Sequence, residues 1–379
     1  MTLNKPAVPA TLQTKPYGKL NDGAVASFRE RGFVTLRKVL SARELSHRVR
    51  LHSHDIGAKK DRTIPLSKAL PVCCKAIFDS RAIYGESKAG DFESFFRLHN
   101  LWRNSRFIRQ LVFAPRFASI AADLMGVSAV KLYQDSLFVK QTGHNASRWH
   151  QDHVAAPFVQ PKPASAAATN DGDNEGDDVG NDGGMQMVTM WLPLQKTTDD
   201  EMGALRFAVR SHHDRKIFLP DTPGDGNTIG TLSDAHVRSL FAVEEAAARL
   251  SKHRLQLGDA SFHDGFTLHG SGPNLSSETR WALAVQFVAA DVTAMTPSAF
   301  EQQRPESQHP RLSLGPRVGD DRYSFGEWLR ASAVFGDITE EYRVVPVEHP
   351  LLPLVWSRDL DPRTQYFKAQ DLYEGFQVG

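Results

Sequence analysis

The stretch VKLYQDSLFVK, residues 130–140, decides the fold class. It is rich in valine, leucine and aromatic residues, a composition typical of a β-strand. Similar runs follow along the chain: MVTMWLPL (187–194), GALRFAV (203–209), RLQLGDASFHD (254–264) and RWALAVQFVAAD (280–291). Because no long helical pattern separates these runs, the sequence favours a sandwiched or closed antiparallel fold of the jelly-roll, cupin-like type.

The residues before this stretch predict helices that flank the sheet. DGAVASFRERG (22–32) reads as a helix that ends at Gly32, and the strand FVTLRKVL (33–40) follows it. Ser41 and Glu44 have the capping-box spacing, so a second helix is expected over 41–50. SRFIRQLVFAPRFASIAADLMG (105–126) has helical spacing, with a restart at Pro115 and an end at Gly126. The predicted fold class is therefore mostly β with flanking helices.

Composition divides the chain into a core domain and its additions. We expect a flexible N-terminal arm over 1–21, a catalytic domain over 22–295, and a C-terminal extension over 296–379 that packs on the core. Residues 161–184 carry six acidic and no aromatic residues, which predicts a mobile insertion. A neutral insertion and a functional lid both remain open for it. It lacks the ligand spacing of an EF-hand calcium loop.

The overall charge and the cysteines limit the partners and the compartment. Forty-five basic residues stand against 44 acidic ones in 379, so no net field attracts nucleic acid or an anionic membrane. A small-molecule substrate is expected, and the oligomeric state cannot be predicted. The sequence shows no long apolar run or secretory signal. Its two cysteines, Cys73 and Cys74, are adjacent and unsuited to a mutual disulfide. We therefore expect a cytoplasmic protein.

The segment SRWHQDH (147–153) suggests a metal site. On a strand, His150 and Asp152 project from the same face, while Gln151 points away. An imidazole and a carboxylate supply two ligands of the 2-His-1-carboxylate triad that holds non-haem Fe(II) with open coordination positions. Taken alone, such a pair is more often a hydrogen-bonded surface pair, so a second histidine is needed.

The second histidine is expected at His269, in LHGSGPN (268–274). Arg280 begins the next strand, so a hairpin would place the two side chains together on the inner face. A guanidinium there can bind a carboxylate through two charge-assisted hydrogen bonds, although a structural salt bridge is the alternative. His263 is the rival ligand, but it lacks the following turn and arginine. His212 and His213 lie in a loop-like stretch, where solvation or hydrogen bonding is the simpler role.

These blocks resemble the phytanoyl-CoA dioxygenase family of Fe(II)- and 2-oxoglutarate-dependent oxygenases. The resemblance covers about residues 22–290 and rests on WHQDHVAAPF, MVTMWLPLQKTTDDEMGALRFAV and GDASFHDGFTLHGSGPN, in that order. It implies a double-stranded β-helix core, with His150, Asp152 and His269 as iron ligands and with Arg280 and Ser271 at the distal carboxylate of 2-oxoglutarate.

The resemblance implies further site residues. They are Lys140 and Trp191 near 2-oxoglutarate, and Gln134, Gln151 and Arg97 toward the substrate. Two departures concern the substrate side: Arg210 replaces a glycine that is common before Ser-His in the family, and the acidic insertion is unusually long. Neither departure touches the expected iron site.

The implied function is oxidation of a C–H bond in a small molecule, with 2-oxoglutarate and O2 consumed and succinate and CO2 released. Ascorbate is expected to help turnover in vitro. Because Asp152 is present, hydroxylation or another oxidation is favoured over halogenation. Two alternatives remain open: a cupin-type enzyme that uses zinc, manganese or nickel without 2-oxoglutarate, and a catalytically silent binding protein. The C-terminal FQVG is not the peroxisomal address, so phytanoyl-CoA is not carried over as the substrate.

Overall fold

The computed structural model describes residues 8–80, 95–155, 158–159, 187–195, 197–198, 200–213, 232–245, 255–294 and 352–378. The helices are α1 Ala10–Thr14, α2 Asp22–Arg31, α3 Ala42–Ser46, α4 Leu66–Asp79, α5 Leu101–Asn104, α6 Arg106–Val112, α7 Pro115–Met125, α8 Asp234–Leu240 and α9 Pro362–Val378. The longer strands are β1 Phe33–Leu36, β2 Arg48–Leu51, β3 Arg62–Pro65, β4 Phe96–His99, β5 Ala129–Lys140, β6 Ser147–His150, β8 Met187–Pro193, β10 Leu205–Ala208, β13 Ala260–Asp264, β15 Arg280–Ala289 and β17 Leu354–Ser357. The shorter strands are β7 Phe158–Val159, β9 Thr197–Thr198, β11 Val243–Glu245, β12 Leu255–Gln256, β14 His269–Ser271 and β16 Thr293–Ala294.

A seven-stranded antiparallel sheet forms the centre of the fold. Its strands run in the order β1, β13, β8, β15, β5, β17, and β4 pairs with β5 beside β17. The stretch 130–140 lies wholly within β5, as its composition predicts. Along β5, Leu137 and Val139 belong to the core under the helices, whereas Ser136 and Phe138 line a pocket on the other face. This alternation follows from the period-2 geometry of a strand.

A smaller sheet with the strand order β11, β10, β14, β6 faces the pocket side of the large sheet. Phe33 on β1 and Phe207 on β10 stack at a centroid distance of 4.2 Å and join the two sheets. Helices, large sheet and small sheet therefore form three layers. The two sheets stay separate among the described strands, and the jelly-roll-like class predicted from the sequence is confirmed.

The helices cover the outer face of the large sheet with apolar side chains. Helix α7 packs on β5, β8 and β15, and Phe117, Ile120 and Leu124 on it are fully buried. It begins at Pro115 and ends at Gly126, which has a φ of 73°. Both ends match the prediction, because proline suits a first helical turn and glycine adopts the left-handed cap readily.

The first predicted helix is confirmed, whereas the second is shorter than predicted. Helix α2 ends at Gly32 as expected. At Ser41 the capping box with Glu44 is present, but α3 stops at Ser46. Residues 48–51 form β2, which pairs with β3 and buries Val49 and Leu51. The alternating burial of this segment explains why it is a strand rather than the rest of the expected helix.

Both ends of the described chain pack on the domain. Of the expected flexible arm over 1–21, residues 1–7 lie outside the described residues. Residues 10–14 form α1, with Val8 and Leu12 buried, and α1 packs on α7 and α9. At the other end, β17 joins the large sheet and α9 packs on it. The insertion 161–184 and most of the extension 296–379 lie outside the described residues.

The two cysteines lie side by side on helix α4. Cys73 and Cys74 are free and buried, and burial raises the pKa of the Cys73 thiol to about 12. No helix in the described ranges combines the length and apolar character needed to cross a bilayer.

Candidate active site

Three potential metal ligands meet at one end of the small sheet. His150 is the last residue of β6, and its strand register pairs it with His269, the first residue of β14. Asp152 follows two residues later, in a short 3-10 helix rather than on the strand. The potential ligand atoms of His150, Asp152 and His269 all lie within 4.8 Å of one another.

Hydrogen bonds orient the two imidazoles. His150 Nδ1 lies 3.0 Å from the carbonyl oxygen of Arg148, and His269 Nδ1 lies 3.0 Å from that of Thr267. A carbonyl only accepts, so both Nδ1 atoms donate and both Nε2 atoms are left as acceptors. The Nε2 atoms lie 3.8 and 3.7 Å from Asp152 Oδ1. Two neutral imidazoles and one carboxylate oxygen thus converge, which is the donor set that Fe(II) requires.

Asp152 uses its other oxygen for protein contacts. Oδ2 accepts hydrogen bonds from Thr189 Oγ1 at 2.6 Å and from His263 Nε2 at 3.1 Å. Burial acts to raise the pKa of Asp152, but His269, His263 and His150 together hold it well below its usual value. The carboxylate is therefore ionised, and Oδ1 is the oxygen left for a metal.

The imidazoles are in the protonation state that metal binding needs. Burial, followed by the charge of neighbouring histidines, lowers the pKa of His150 and of His269 to about 4. Both rings are therefore neutral at physiological pH, so a metal ion does not have to displace a proton from either Nε2.

The other histidines take supporting roles. His263, the rival ligand, also lines the pocket, with its ring centroid 4.2 Å from that of His269, and it donates from Nε2 to Asp152 Oδ2. His212 and His213 hydrogen-bond the carbonyl oxygens of Arg29 and Glu30, in agreement with the simpler role expected for them. His153 stacks on Phe266.

A cationic group lies at the other end of the same pocket. Arg280, fully buried at the start of β15, donates from Nη1 to the carbonyl oxygen of Gly203 at 2.5 Å. Its guanidinium lies 5.5 Å from the ring centroid of Trp191, and both side chains line the pocket. Arg280 Nε has no hydrogen-bond partner among the described residues. Burial lowers the pKa of Arg280 to about 10, so the side chain stays charged.

Lys140 and Ser271 lie beside Arg280. Lys140 is opposite Arg280 in the strand register, and its Nζ donates to Ser271 Oγ at 2.9 Å and to the carbonyl oxygens of Asn145 and Gly272 at 2.8 Å each. Burial, and then Arg280 and Arg206, lower the pKa of Lys140 to about 6. Ser271 lines the pocket, whereas Lys140 lies behind it. The charge of Arg280 therefore makes this pocket end electropositive and suited to a carboxylate.

The expected hairpin between His269 and Arg280 is wrong. His269 is on β14 in the small sheet, and Arg280 is on β15 in the large sheet. The residues between the two strands, 272–279, carry the chain from the small sheet to the large sheet. His269 and Arg280 still line one pocket, which is the part of the prediction that the chemistry needs.

Of the three residues expected toward the substrate, one lines the pocket and two do not. Arg97 lines the pocket. Gln134 does not line it, but hydrogen-bonds Gln286, which does. Gln151 points elsewhere, because its amide donates to the carbonyl oxygen of Phe266 at 2.7 Å.

Sequence reasoning missed Thr189 and Gln286 as pocket residues. Thr189 is two residues before Trp191 on β8, and Gln286 lies on the pocket face of β15 with Ala284. Period-2 alternation from Trp191 and from Arg280 is the signal that identifies both. Phe95, Ser136 and Phe138 complete this wall of the pocket.

Comparison with known proteins agrees with this geometry. The sequence model of the family described as "Phytanoyl-CoA dioxygenase (PhyH)" matches residues 28–282. The chain belongs to the phytanoyl-CoA dioxygenase family. Membership makes it an iron- and 2-oxoglutarate-dependent oxygenase, as the sequence blocks predicted. No curated protein matches the chain significantly.

Several solved structures are similar to the chain at low identity. The non-heme alpha ketoglutarate dependent carbocyclase SnoK from nogalamycin biosynthesis has a TM-score of 0.50 and 18% identity, over 81% of this chain and 97% of SnoK. The epimerase SnoN, in complex with Fe3+, alpha ketoglutarate and nogalamycin RO, has a TM-score of 0.49 and 17% identity, over 88% and 97%. EctD from S. alaskensis with bound Fe has a TM-score of 0.48 and 15% identity, over 78% and 85%. The likeness to SnoK shows the shared fold.

Proposed function

We propose that this family member oxidises a C–H bond of a small-molecule substrate, with His150, Asp152 and His269 as the ligands of Fe(II). The observation that carries this proposal is the convergence of two acceptor Nε2 atoms on Asp152 Oδ1, in a pocket that also contains Arg280. When bound, iron with 2-oxoglutarate and O2 supplies the oxidising chemistry, and succinate and CO2 are released.

The protein's own residues bind and orient the reactants. Three protein ligands on one side of a metal leave its remaining positions open toward the pocket. Arg280 and Ser271 are assigned to the distal carboxylate of 2-oxoglutarate, because a buried guanidinium beside a hydroxyl forms strong charge-assisted hydrogen bonds with a carboxylate. Lys140 supports this end by holding Ser271 Oγ, and Trp191 forms the apolar wall beside Arg280.

Asp152 bears on the type of oxidation. As an iron ligand, Asp152 Oδ1 would fill a coordination position and would leave no place for a halide there. Hydroxylation, or another oxidation of the C–H bond, is therefore the proposed outcome rather than halogenation.

The test compares the wild type with Asp152→Ala and His269→Ala. With Fe(II), ascorbate and O2, the wild type is expected to form succinate from 2-oxoglutarate. Under anaerobic conditions it is expected to show the charge-transfer absorbance of a 2-oxoglutarate complex. Both variants are expected to lose the two signals. His236→Ala is the matched control, because His236 is exposed on α8, and it is expected to behave like the wild type.

Two results would contradict the proposal. Well-loaded wild type that shows neither succinate nor the absorbance band rules out 2-oxoglutarate chemistry and favours another metal. Signals that survive in both ligand variants show that iron binds elsewhere.

A further inference from the structure

Arg97 is a charged pocket residue that the oxygenase chemistry leaves without a role. It lies on β4, opposite Phe138 of β5, and lines the pocket with the metal-ligand cluster. Its Nε atom is sealed from solvent and has no hydrogen-bond partner. Within the part of the chain that the structure describes, no carboxylate forms an ion pair with Arg97 and no acceptor receives a hydrogen bond from it.

Arg97 is half-buried, and its sealed Nε costs stability, because the desolvation of this N–H group is not offset by a hydrogen bond. Burial indeed lowers the pKa of Arg97, and Asp152 offsets this effect only in part. The guanidinium also lies over Phe138, whose ring centroid is 5.4 Å from the guanidinium carbon. Such a contact leaves the edge of the guanidinium, where its N–H groups point, free for a ligand.

One positive charge in the pocket is left without an anionic partner once the metal and the co-substrate are assigned. Asp152 is its carboxylate and is committed to the metal, while Arg280 is committed to the co-substrate. Arg97 is the remaining charged residue among the described side chains that line the pocket. A carboxylate is the group that matches a guanidinium fork with two parallel hydrogen bonds. The neighbouring wall, formed by Phe95 and Phe138, is apolar and aromatic.

We propose that Arg97 anchors the substrate and that the substrate is a carboxylate whose apolar or aromatic body lies against Phe95 and Phe138. This inference rests on the proposed function, since it takes Arg280 as the anchor of 2-oxoglutarate. The other source of a carboxylate at Arg97 is the metal-proximal end of 2-oxoglutarate itself, and the experiment separates the two.

The probes are benzoate and its neutral analogue benzamide. Binding of each is measured by ligand-observed NMR to the full chain loaded with Zn(II), with and without saturating 2-oxoglutarate. The affinity for 2-oxoglutarate is measured on the same samples by calorimetry. The variants are Arg97→Met and Arg280→Met, and Arg62→Met is the matched control on the exposed strand β3.

We expect each of the two pocket arginines to control the binding of a different ligand. Wild type and Arg62→Met bind benzoate at least about tenfold more tightly than benzamide, a ratio typical of a charge-assisted pair. Arg97→Met loses this preference but keeps its 2-oxoglutarate affinity within about threefold. Arg280→Met loses 2-oxoglutarate affinity and keeps the preference measured without 2-oxoglutarate. The melting temperature of Arg97→Met is expected to equal or exceed that of the wild type, because an unpaired charge is removed.

Three results would overturn the inference. Equal affinity of the wild type for benzoate and benzamide shows that no carboxylate site exists at Arg97. A benzoate preference that persists in Arg97→Met places the site elsewhere. A loss of 2-oxoglutarate affinity in Arg97→Met of the size seen in Arg280→Met assigns Arg97 to the co-substrate. Wild type that binds no 2-oxoglutarate contradicts the proposed function instead, and the benzoate comparison still decides the role of Arg97.

Discussion

The hydroxyl of Thr189 is expected to control metal affinity although it is not a ligand. It donates to Asp152 Oδ2 at 2.6 Å, and His263 Nε2 donates to the same oxygen at 3.1 Å. These two bonds turn Oδ1 toward the imidazoles of the ligand cluster. In the variant Thr189→Val a methyl group replaces the hydroxyl, and valine is well tolerated in a strand. The change therefore removes one orienting bond with little effect on shape.

The size of the effect follows from the geometry. A short hydrogen bond to an ionised carboxylate contributes about 1.5–3 kcal/mol. Its loss frees Asp152 to rotate and leaves His263 as the remaining partner of Oδ2. Removal of an outer-shell partner of a metal ligand typically weakens metal binding about 10-fold to 100-fold. Because one of the two bonds remains, we expect Thr189→Val to raise the dissociation constant for the metal about tenfold.

The assay is competition for Fe(II) against a chromophoric chelator under anaerobic conditions, with urea unfolding of the metal-free protein as a check on stability. Thr189→Ser is the matched control, because it keeps the hydroxyl, and it is expected to stay within about threefold of the wild type. A Thr189→Val protein that folds normally and binds the metal as the wild type does would refute the argument. Equal losses in the serine and valine variants would refute it as well, since the hydroxyl would then not be the cause.

Two further predictions concern the support of the site. Gly203→Ala should destabilise the protein by about 1–3 kcal/mol, because Gly203 has a φ of 73° and an added Cβ would lie 2.4 Å from the carbonyl oxygen of Gly272. It should also weaken 2-oxoglutarate binding, because the Gly203 carbonyl oxygen accepts a hydrogen bond from Arg280. Gly143→Ala, with a φ of 82° but open space around it, separates backbone strain from the clash, and equal losses in both variants would contradict the role of the clash. Burial raises the pKa of Asp135 from 3.8 to about 7. Between these two values the folded state keeps a proton that the unfolded state loses. The free energy of unfolding should therefore fall by at most about 1.4 kcal/mol per pH unit as pH rises from about 4 to about 7. Asp135→Asn should remove this dependence in urea unfolding at a series of pH values, and parallel stability curves for the two proteins would contradict it.

The ligand cluster could be predicted from the sequence because its members follow local rules. His150 and Asp152 are two residues apart, and the glycine-rich turn after His269 distinguishes it from His263. The structure places His263 within hydrogen-bond distance of Asp152, so it belongs to the site in another role. Local spacing identified the three residues of the ligand cluster, but the hydrogen bonds that orient Asp152 depend on contacts between separate strands.

The position of Arg280 shows where sequence reasoning stops. Turn residues between two strands indicate that the chain reverses, but they do not show whether the second strand pairs with the first or crosses to a facing sheet. Here β14 pairs with β6 and β10, and β15 pairs with β5 and β8. Long-range pairing partners decide this, and they lie far away in the sequence.

Arg210, one of the two departures from the family pattern, lies in a strained turn. It has a φ of 67°, the left-handed region in which glycine is the usual residue. Its guanidinium pairs with Glu30 at 2.6 Å, and Ser211 Oγ accepts a hydrogen bond from the backbone N–H of Leu268. The turn therefore places an arginine in a conformation that glycine adopts more readily, at the cost of local strain. The sequence shows the departure at this position but not the contacts of Arg210 and Ser211 that accompany it.

The division of the site between two sheets explains why its parts need each other. The small sheet carries His150 and His269, while the large sheet carries Thr189, which orients Asp152, and Arg280, which is assigned to the co-substrate. Neither sheet alone contains a complete site. The contacts that set the spacing between the sheets, such as the stacked pair formed by Phe33 on β1 and Phe207 on β10, therefore also set the distance between the metal ligands and the carboxylate anchor. Packing in this layer is thus part of the chemistry, because a change in the spacing moves one end of 2-oxoglutarate relative to the other.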